Sequence, residues 1–520
     1  MDNKTTITKY WPVLTSLLFL VATWAYWRFY CPAILVFKEQ IQMFLFNGDY
    51  FMERIVFPAG LARYVAEFLV QFYNSVSLGA LIVALLALLT QVLTWRVSRK
   101  ENPDNSVAAY YLSFVPTLSL LYFLGNENVN LTFCVALVFA LLAIWLYTLL
   151  YNTRTKGIAI TLITPLLYWI AGPMALLFCG FVVVKELLVR HWLLSVWTLS
   201  LVVVCFAVSM FVVRAPAYRL FYGIGYTILI TEFMNLQVIV PSLYLLVMLT
   251  APYLKGTKKI KPATMHVTSL VVLALLFVFI VPKGVEEVRH EVLTYDSLVR
   301  TGQWNAIIQK AEKNNPRSPL TVASLNLALA MTGQLNERAG QFYQNGPQGA
   351  FPLFNKNFMF SLMTSEVYFN VGLVNTAQRY AFEAMETIPD NNKSARIVKR
   401  LAETNIINGQ YDVARKYLHL LEQTMFYSKW AKRTELLLGD EEAITQHPLY
   451  GYMRQVRLQD DFIFSEAEID KIMGQLLMHN PDNAIARQYL LLMPLLEGNQ
   501  QKYRAYMEFV QNLKKNDQQQ

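Results

Sequence analysis

The sequence predicts an all-α protein in which a polytopic bundle of about nine transmembrane helices precedes an extracytoplasmic α-solenoid. Hydrophobic residues make up 55% of the 520 residues and charged residues only 16%, where soluble proteins average about 25% charged. Residues 1–283 hold 20 of the 45 Lys and Arg and 10 of the 36 Asp and Glu, so that 25 and 26 remain for residues 284–520. The first part is therefore basic and apolar, whereas the second is near neutral and carries a recurring glycine-led pattern.

Composition excludes several functional classes. The apolar content excludes a purely soluble enzyme, and the positive charge stands beside apolar spans, so no nucleic-acid partner is expected. The four cysteines lie in or beside apolar segments and form no CxxC pair, so neither a disulfide framework nor a zinc site is predicted. They are Cys31, Cys134, Cys179 and Cys205. No cofactor is predicted, and the use of a divalent metal stays open.

Nine apolar segments approach the roughly 20 residues that a bilayer span requires. They are residues 11–30, 77–95, 107–124, 131–151, 158–172, 174–189, 192–213, 236–254 and 264–281. The fifth and sixth are short, and Gly172-Pro173 predicts a tight reversal between them. A single broken helix over both segments is the alternative.

Loop charges predict the orientation, because cytoplasmic loops carry an excess of Lys and Arg. With a cytoplasmic N-terminus, every short inner loop is basic, and nine spans place the C-terminal part outside the cytoplasm. The predicted domains are a membrane domain over 1–283, a periplasmic helical domain over 284–515 and a polar tail over 516–520. Lys185 and Glu186 are expected to be exposed anchors at the inner end of a span.

The first outer loop, residues 31–76, is longer than a connection requires and contains two predicted amphipathic helices. In the first helix, Phe37 and Ile41 lie opposite Lys38 and Glu39. In the second, a polar stripe lies opposite an apolar face. The stripe is formed by Arg63, Glu67 and Gln71. Both helices are expected to lie along the outer membrane surface.

The charged residues of this loop are candidates for chemistry on a lipid-linked substrate. Asp49 or Glu53 could take a proton from an acceptor hydroxyl, and Arg54 or Arg63 could hold a phosphate. A second outer segment, 214–235, is too apolar for a plain loop and is expected to dip back and face the first. It adds three candidates: Arg214, Arg219 and Glu232. The alternative is that all these charges lie in the headgroup layer or pair with one another for structural reasons.

The second part of the chain repeats a pattern that begins with a glycine, followed by a bulky residue two positions later and small residues along the next helix. Successive copies begin at Gly302, Gly333, Gly372 and Gly409, which are 31, 39 and 37 residues apart. This pattern resembles the tetratricopeptide repeat, a pair of antiparallel helices of about 34 residues. The resemblance implies a concave surface for a peptide, a protein partner or a glycan acceptor.

The order of parts resembles membrane glycosyltransferases of the GT-C architecture, which have one span, a long outer loop with two helices, a bundle of spans and often an outer C-terminal domain. The resemblance implies a polyprenyl-phosphate-linked sugar donor and a catalytic carboxylate in the first outer loop. The matching positions are Asp49 or Glu53, with Glu39 as the third choice. The Asp-Asp, Asp-Glu or Glu-Asp pair that is frequent in the family is absent from this loop.

At closer range, the chain resembles an uncharacterised family of multi-pass membrane proteins of Gram-negative bacteria with repeat-containing tails. The resemblance implies location in the bacterial inner membrane and carries no information about activity. It rests on Phe44-Leu45-Phe46, Tyr50-Phe51, Pro58-Ala59-Gly60-Leu61 and Phe68-Leu69-Val70-Gln71-Phe72. Two functions stay open: a GT-C-type glycosyltransferase at the periplasmic face, and a non-enzymatic scaffold that recruits envelope proteins. A transporter is disfavoured because the spans contain almost no ionisable residues.

Overall fold

The computed structural model describes residues 3–101, 106–228, 234–254, 262–458 and 465–517, and these residues form helices without any β-strand. A single β-bridge joins Val129 to Thr227. The chain divides into two compact units, Met1–Glu286 and Glu287–Gln520, here named unit 1 and unit 2.

Unit 1 contains fourteen α-helices within the described residues. They are α1 Asn3–Ala25, α2 Pro32–Gln40, α3 Gly48–Ile55, α4 Gly60–Val70, α5 Val76–Glu101, α6 Ser106–Leu112, α7 Phe114–Leu124, α8 Leu131–Tyr147, α9 Thr153–Ala171, α10 Ala175–Leu188, α11 Trp192–Val213, α12 Ala217–Tyr222, α13 Met234–Thr250 and α14 Pro262–Ile280. A π-helical turn, Tyr26–Tyr30, extends α1, and a 3₁₀ turn, Gly172–Met174, joins α9 to α10.

Seven helical runs among the described residues are long and apolar enough to cross a membrane. They are Tyr10–Tyr30, Val76–Lys100, Val107–Leu124, Thr153–Leu188, Trp192–Val213, Met234–Tyr253 and Ala263–Gly284. Helix α8 is apolar but shorter, with 17 residues. It is buried on nearly every side and packs against α4, α5, α9 and α10, which explains why apolar residues occupy its whole circumference.

The run Thr153–Leu188 is a helical hairpin. Lys156 Nζ, near the start of α9, lies 2.7 Å from Glu186 Oε1, near the end of α10. A continuous helix would hold residues 30 positions apart at about 45 Å, so the chain doubles back between them. Gly172 makes the reversal with φ +59°, and a Cβ there would lie 2.8 Å from the Cβ of Ala59. Glycine is the residue that tolerates both conditions.

The segments between the long helices gather at two ends of unit 1. At one end, named the Lys38 end, Lys38 reaches the carbonyl oxygen of Leu124, and Ala59 donates its N–H to the Trp169 carbonyl at 3.0 Å. At the other, named the Glu186 end, Glu186 receives hydrogen bonds from Tyr147 and Lys156.

The expectation that Glu186 is an exposed anchor is wrong. Its side chain is fully buried, and His191 Nδ1 lies 2.7 Å from Oε2. A buried carboxylate requires partners of this kind. Lys156 near the start of α9 and His191 directly before α11 supply them.

Unit 2 is a set of consecutive helices around a main hydrophobic core that reaches from Tyr295 to Val510 and a smaller one that contains Leu362, Ala381 and Leu401. The helices are α15 Glu287–Arg300, α16 Trp304–Lys313, α17 Pro319–Met331, α18 Leu335–Arg338, α19 Phe358–Val371, α20 Val374–Glu386, α21 Ala395–Ile407, α22 Tyr411–Glu422, α23 Ser428–Glu435, α24 Glu441–Gln446, α25 Tyr450–Val456, α26 Ile469–His479, α27 Ala484–Leu496 and α28 Gln500–Asp517. Gly372, with φ +107°, allows the sharp turn at which α19 ends and α20 begins.

The concave surface predicted for this part is not open along α17 and α19, which are buried on all their faces. From one side, Asp296 of α15 binds Arg396 of α21 at 2.9 Å. From the other, Gln488 of α27 donates to the Ala330 carbonyl at 3.0 Å, and Asn483 donates to the Val371 carbonyl at 3.1 Å. Helices α15 and α27 therefore both pack against α17, and α27 also packs against α19.

Candidate functional site

A buried polar cluster lies at the Lys38 end of unit 1. We define it as Lys38, Gln42, Glu127 and Asn130, which are at most 7% exposed. Lys38 lies in the last turn of α2, and its Nζ donates to the Leu124 carbonyl at 2.8 Å. That carbonyl belongs to the last turn of α7, where backbone acceptors have no partner within the helix. The lysine therefore caps α7 from a neighbouring segment.

Burial lowers the pKa of Lys38 to about 7, although the nearby Glu127 carboxylate opposes this shift. An ordinary lysine has a pKa near 10.5, so burial has brought this amine into the range where it exchanges protons near neutral pH. A lysine has three N–H donors, and Leu124 is the one hydrogen-bond acceptor that the described residues give to it. The site therefore holds a buried amine that interacts with the Glu127 carboxylate.

A chain of hydrogen bonds ties the cluster to the second segment that the sequence singled out. Gln42 Nε2 donates to Asn130 Oδ1 at 2.9 Å, and Asn130 Nδ2 donates to the Gly225 carbonyl at 3.0 Å. The Ile228 N–H also donates to the Asn128 carbonyl at 2.8 Å. Residues 223–228, within the predicted segment 214–235, thus face the segment 31–76.

A second buried group, the Glu67 clamp, consists of Glu67, Arg54, Arg63 and Tyr50. Arg54 Nε lies 2.8 Å from Glu67 Oε2, and Arg63 Nε lies 2.8 Å from Oε1. The Tyr50 hydroxyl donates to Oε2 at 2.6 Å. Burial alone would raise the pKa of Glu67, but Arg63 and Arg54 outweigh burial and lower it below its ordinary value. The clamp fastens α3 to α4 through a carboxylate that stays ionised.

The polar stripe of the second loop helix is buried. Arg63 and Glu67 of α4, and Gln71 in the 3₁₀ turn that follows it, are at most 6% exposed, while Tyr64 and Phe68 on the opposite face are partly exposed. The buried charges on this stripe are compensated by protein partners, as Arg63 and Glu67 are in the Glu67 clamp. In α2, Phe37, Lys38 and Glu39 are likewise all buried, so neither face of that helix is exposed at these positions.

The acidic candidates separate by burial. Asp49 and Glu53 are exposed, and the Glu53 side chain is 63% exposed beside Arg54, at 3.6 Å. Neither lies within the polar cluster. Glu39, the third choice, is 4% exposed and directly follows Lys38 in α2. Of the three acidic candidates, Glu39 is therefore the one that is buried.

The basic candidates of the first loop, Arg54 and Arg63, are bound to Glu67 as described above. Of the second segment, Arg214 is exposed and Arg219 is half-buried. Glu232 lies outside the described residues. Besides binding Glu67, Arg54 lies 3.6 Å from Glu53.

Sequence reasoning missed Glu67, Lys38 and Glu127 as site residues. A signal was present for Lys38, because the helix Pro32–Gln40 is apolar enough to be buried on both faces and carries a Lys-Glu pair. Glu127 is the one acid in the short connection between α7 and α8. Its importance depends on proximity to Lys38, which sequence spacing does not reveal.

Within the described residues of unit 2, one group has metal-ligating chemistry. It consists of His419, Glu422 and Glu435, whose ligand atoms lie within 4.8 Å of one another. His419 Nε2 already lies 3.0 Å from Glu435 Oε1, and Arg415 Nε lies 3.8 Å from the same oxygen. The residues lie at or near the surface, and the arginine already supplies the positive charge that a cation would bring.

One comparison with known proteins gives a match. A family model described as "Family of unknown function (DUF6057)" matches residues 8–519. No curated protein and no solved structure matches the chain.

Proposed function

The chain belongs to this family of unknown function, and from its residues we propose a membrane glycosyltransferase of GT-C type that uses a polyprenyl-phosphate-linked sugar donor. The observation that carries the proposal is the burial of two consecutive ionisable residues of α2, Lys38 and Glu39, at the Lys38 end of unit 1. Ionisable groups buried in a membrane bundle are costly and are retained mainly at functional sites.

The proposed topology has nine crossings, with α9 and α10 as two of them. The Glu186 end faces the cytoplasm because the connections there carry the basic residues of the inner loops. The Lys38 end then faces the periplasm of a bacterial inner membrane. Unit 2, in the same compartment, is a tetratricopeptide-like array that binds the protein or glycan acceptor through its outer surface.

In the proposed reaction, Glu39 is the general base. It removes the proton from an acceptor hydroxyl, whose oxygen then attacks the anomeric carbon of the sugar. The bond from that carbon to the phosphate oxygen breaks, and the polyprenyl phosphate leaves with the electron pair. Lys38, as the ammonium ion, stabilises the charge that develops on the phosphate. Asp49 and Glu53 have no role in this scheme, and Arg54 and Arg63 position α3 and α4 through Glu67.

The test compares variants in a strain that lacks the chromosomal gene. The strain is complemented with the wild type, with Glu39→Gln, or with the matched control Asp49→Asn plus Glu53→Gln, and expression is checked by immunoblot. Envelope glycans are profiled by mass spectrometry. We expect the deletion and Glu39→Gln to lose the same glycan and the control to restore it. A deletion strain with unchanged glycans, or normal glycans in an expressed Glu39→Gln strain, would contradict the proposal.

A non-enzymatic scaffold is the second candidate. It is favoured because Asp49 and Glu53 are exposed, while the buried carboxylate of Glu67 is already bound by two arginines, as expected of a purely structural anchor. In that case Glu39→Gln should be silent in the same assay, while removal of residues 287–520 should abolish function. Interaction partners captured by unit 2 in the wild type would then be retained by every loop variant.

A further inference from the structure

A pocket of about 150 Å³ lies between α10, α12 and α13, apart from the polar cluster. Its walls are formed mainly by apolar and aromatic side chains. The lining residues used below are Leu176, Phe221, Tyr226, Gln237, Val238 and Ser242. Leu176, Phe221 and Val238 are between 37% and 47% exposed, so the mouth of the pocket is apolar. In a bundle of transmembrane helices, such a mouth opens onto lipid chains rather than water.

One buried polar atom in this lining has no hydrogen-bond partner among the described residues, namely Gln237 Oε1. The Gln237 side chain is 6% exposed, and its Nε2 donates to Thr227 Oγ1 at 2.8 Å. Leaving a buried amide oxygen without a partner is unfavourable by roughly 1–3 kcal/mol in proteins. The arrangement therefore fits a ligand that supplies the missing hydrogen bond.

The hydroxyls of Tyr226 and Ser242, in the same lining, are already engaged. The Tyr226 hydroxyl donates to the Ala171 carbonyl, and Ser242 Oγ donates to the Val238 carbonyl at 2.7 Å. No charged side chain belongs to the described lining. A phosphate would meet the amide oxygen of Gln237 without any compensating cation, so an anionic headgroup does not fit.

We infer that this pocket binds the hydroxyl end of an uncharged long-chain lipid alcohol. The hydroxyl forms a hydrogen bond with the Gln237 amide, about six neighbouring heavy atoms fill the void, and the remaining chain lies in the bilayer. A void of about 150 Å³ accommodates a group of the size of benzene. The inference does not rest on the proposed transferase activity, since it concerns a neutral ligand and residues outside the polar cluster.

The test uses the full-length protein in phosphatidylcholine nanodiscs and two photoreactive probes. One is a C16 alcohol with a diazirine near the hydroxyl, and the other is its methyl ether, which cannot donate a hydrogen bond. Cross-linked peptides are quantified by mass spectrometry. We expect the alcohol to label peptides that contain residues 173–177, 221–226 and 237–245 about 5-fold more than the ether does, which corresponds to one net hydrogen bond.

Two variants complete the test. Gln237→Leu should remove the preference for the alcohol, whereas Ser242→Ala, in the same lining, should retain it. Equal labelling of the wild type by the two probes would overturn the inference without reference to any variant. A preference that persists in Gln237→Leu would overturn the assignment to this amide.

Discussion

Replacing Glu67 by Gln removes the one carboxylate shared by two buried guanidinium groups. In the native protein, Arg54 and Arg63 each contact Glu67 at 2.8 Å, and the three side chains are at most 5% exposed. The substitution keeps the size of the side chain but changes the sum of these three charges from +1 to +2. We therefore expect it to destabilise unit 1 strongly, although it touches no residue of the polar cluster.

The magnitude follows from the burial of the clamp. Breaking a buried ion pair by removing one partner costs about 3–5 kcal/mol, since the remaining charge is left uncompensated. The Tyr50 hydroxyl also loses an ionised acceptor that it now contacts at 2.6 Å. Glu53→Gln is the matched control, because Glu53 is 63% exposed and lies 3.6 Å from Arg54. That change should cost less than about 1 kcal/mol.

The assay is thiol labelling of the full-length protein during an SDS titration in mixed micelles. All four cysteines lie in unit 1, and Cys31, Cys134 and Cys179 are buried, so labelling reports the opening of that unit alone. Glu67→Gln should shift the unfolding midpoint to lower SDS, and Glu53→Gln should not. Coinciding midpoints for the two variants would refute the argument that the clamp holds α3 and α4 in place.

Two further predictions concern charges in each unit. Burial lowers the pKa of Lys38 in the folded protein to about 7, whereas an unfolded lysine has a pKa of about 10.5. Between these two pH values, Lys38 therefore takes up a proton when the protein unfolds. The stability of the wild type should therefore rise with pH over this window, and Lys38→Met should flatten the rise of the SDS midpoint. In unit 2, Arg396→Met leaves Asp296 and Glu366 without their shared cation and should cost about 3–5 kcal/mol. Hydrogen exchange of unit 2 peptides measures this loss of stability. The control is Arg415→Met, because the Arg415 side chain is 42% exposed. Equal exchange in the two variants would contradict the prediction.

The long apolar helices were predictable because hydrophobic length is a local property. The predicted span 192–213 coincides with α11, and Gly172-Pro173 marks the reversal that Lys156 and Glu186 show to be a hairpin. The glycine at position 372 likewise marks the turn between α19 and α20. Each of these features depends on residues that are neighbours in the sequence, so no knowledge of packing was needed.

The candidate site was predictable only in part. The loop 31–76 was identified from its length and its charged residues, and Glu39 was among its candidates. Which acids of the loop are buried was not predictable, because amphipathic spacing does not say which face of a helix packs against protein. Glu67 on the polar stripe of α4 is 1% exposed because its partners Arg54 and Arg63 are buried with it.

The sequence by itself determined the helical class, the positions of the apolar helices and the segments that contain unusual charges. Only the tertiary structure decided which charges meet: Lys38 with the end of α7, Gln42 with Asn130, and Glu67 with two arginines. The physical reason is that apolar length and turn chemistry act over a few neighbouring residues, whereas the burial of a charge depends on partners that distant segments bring to it.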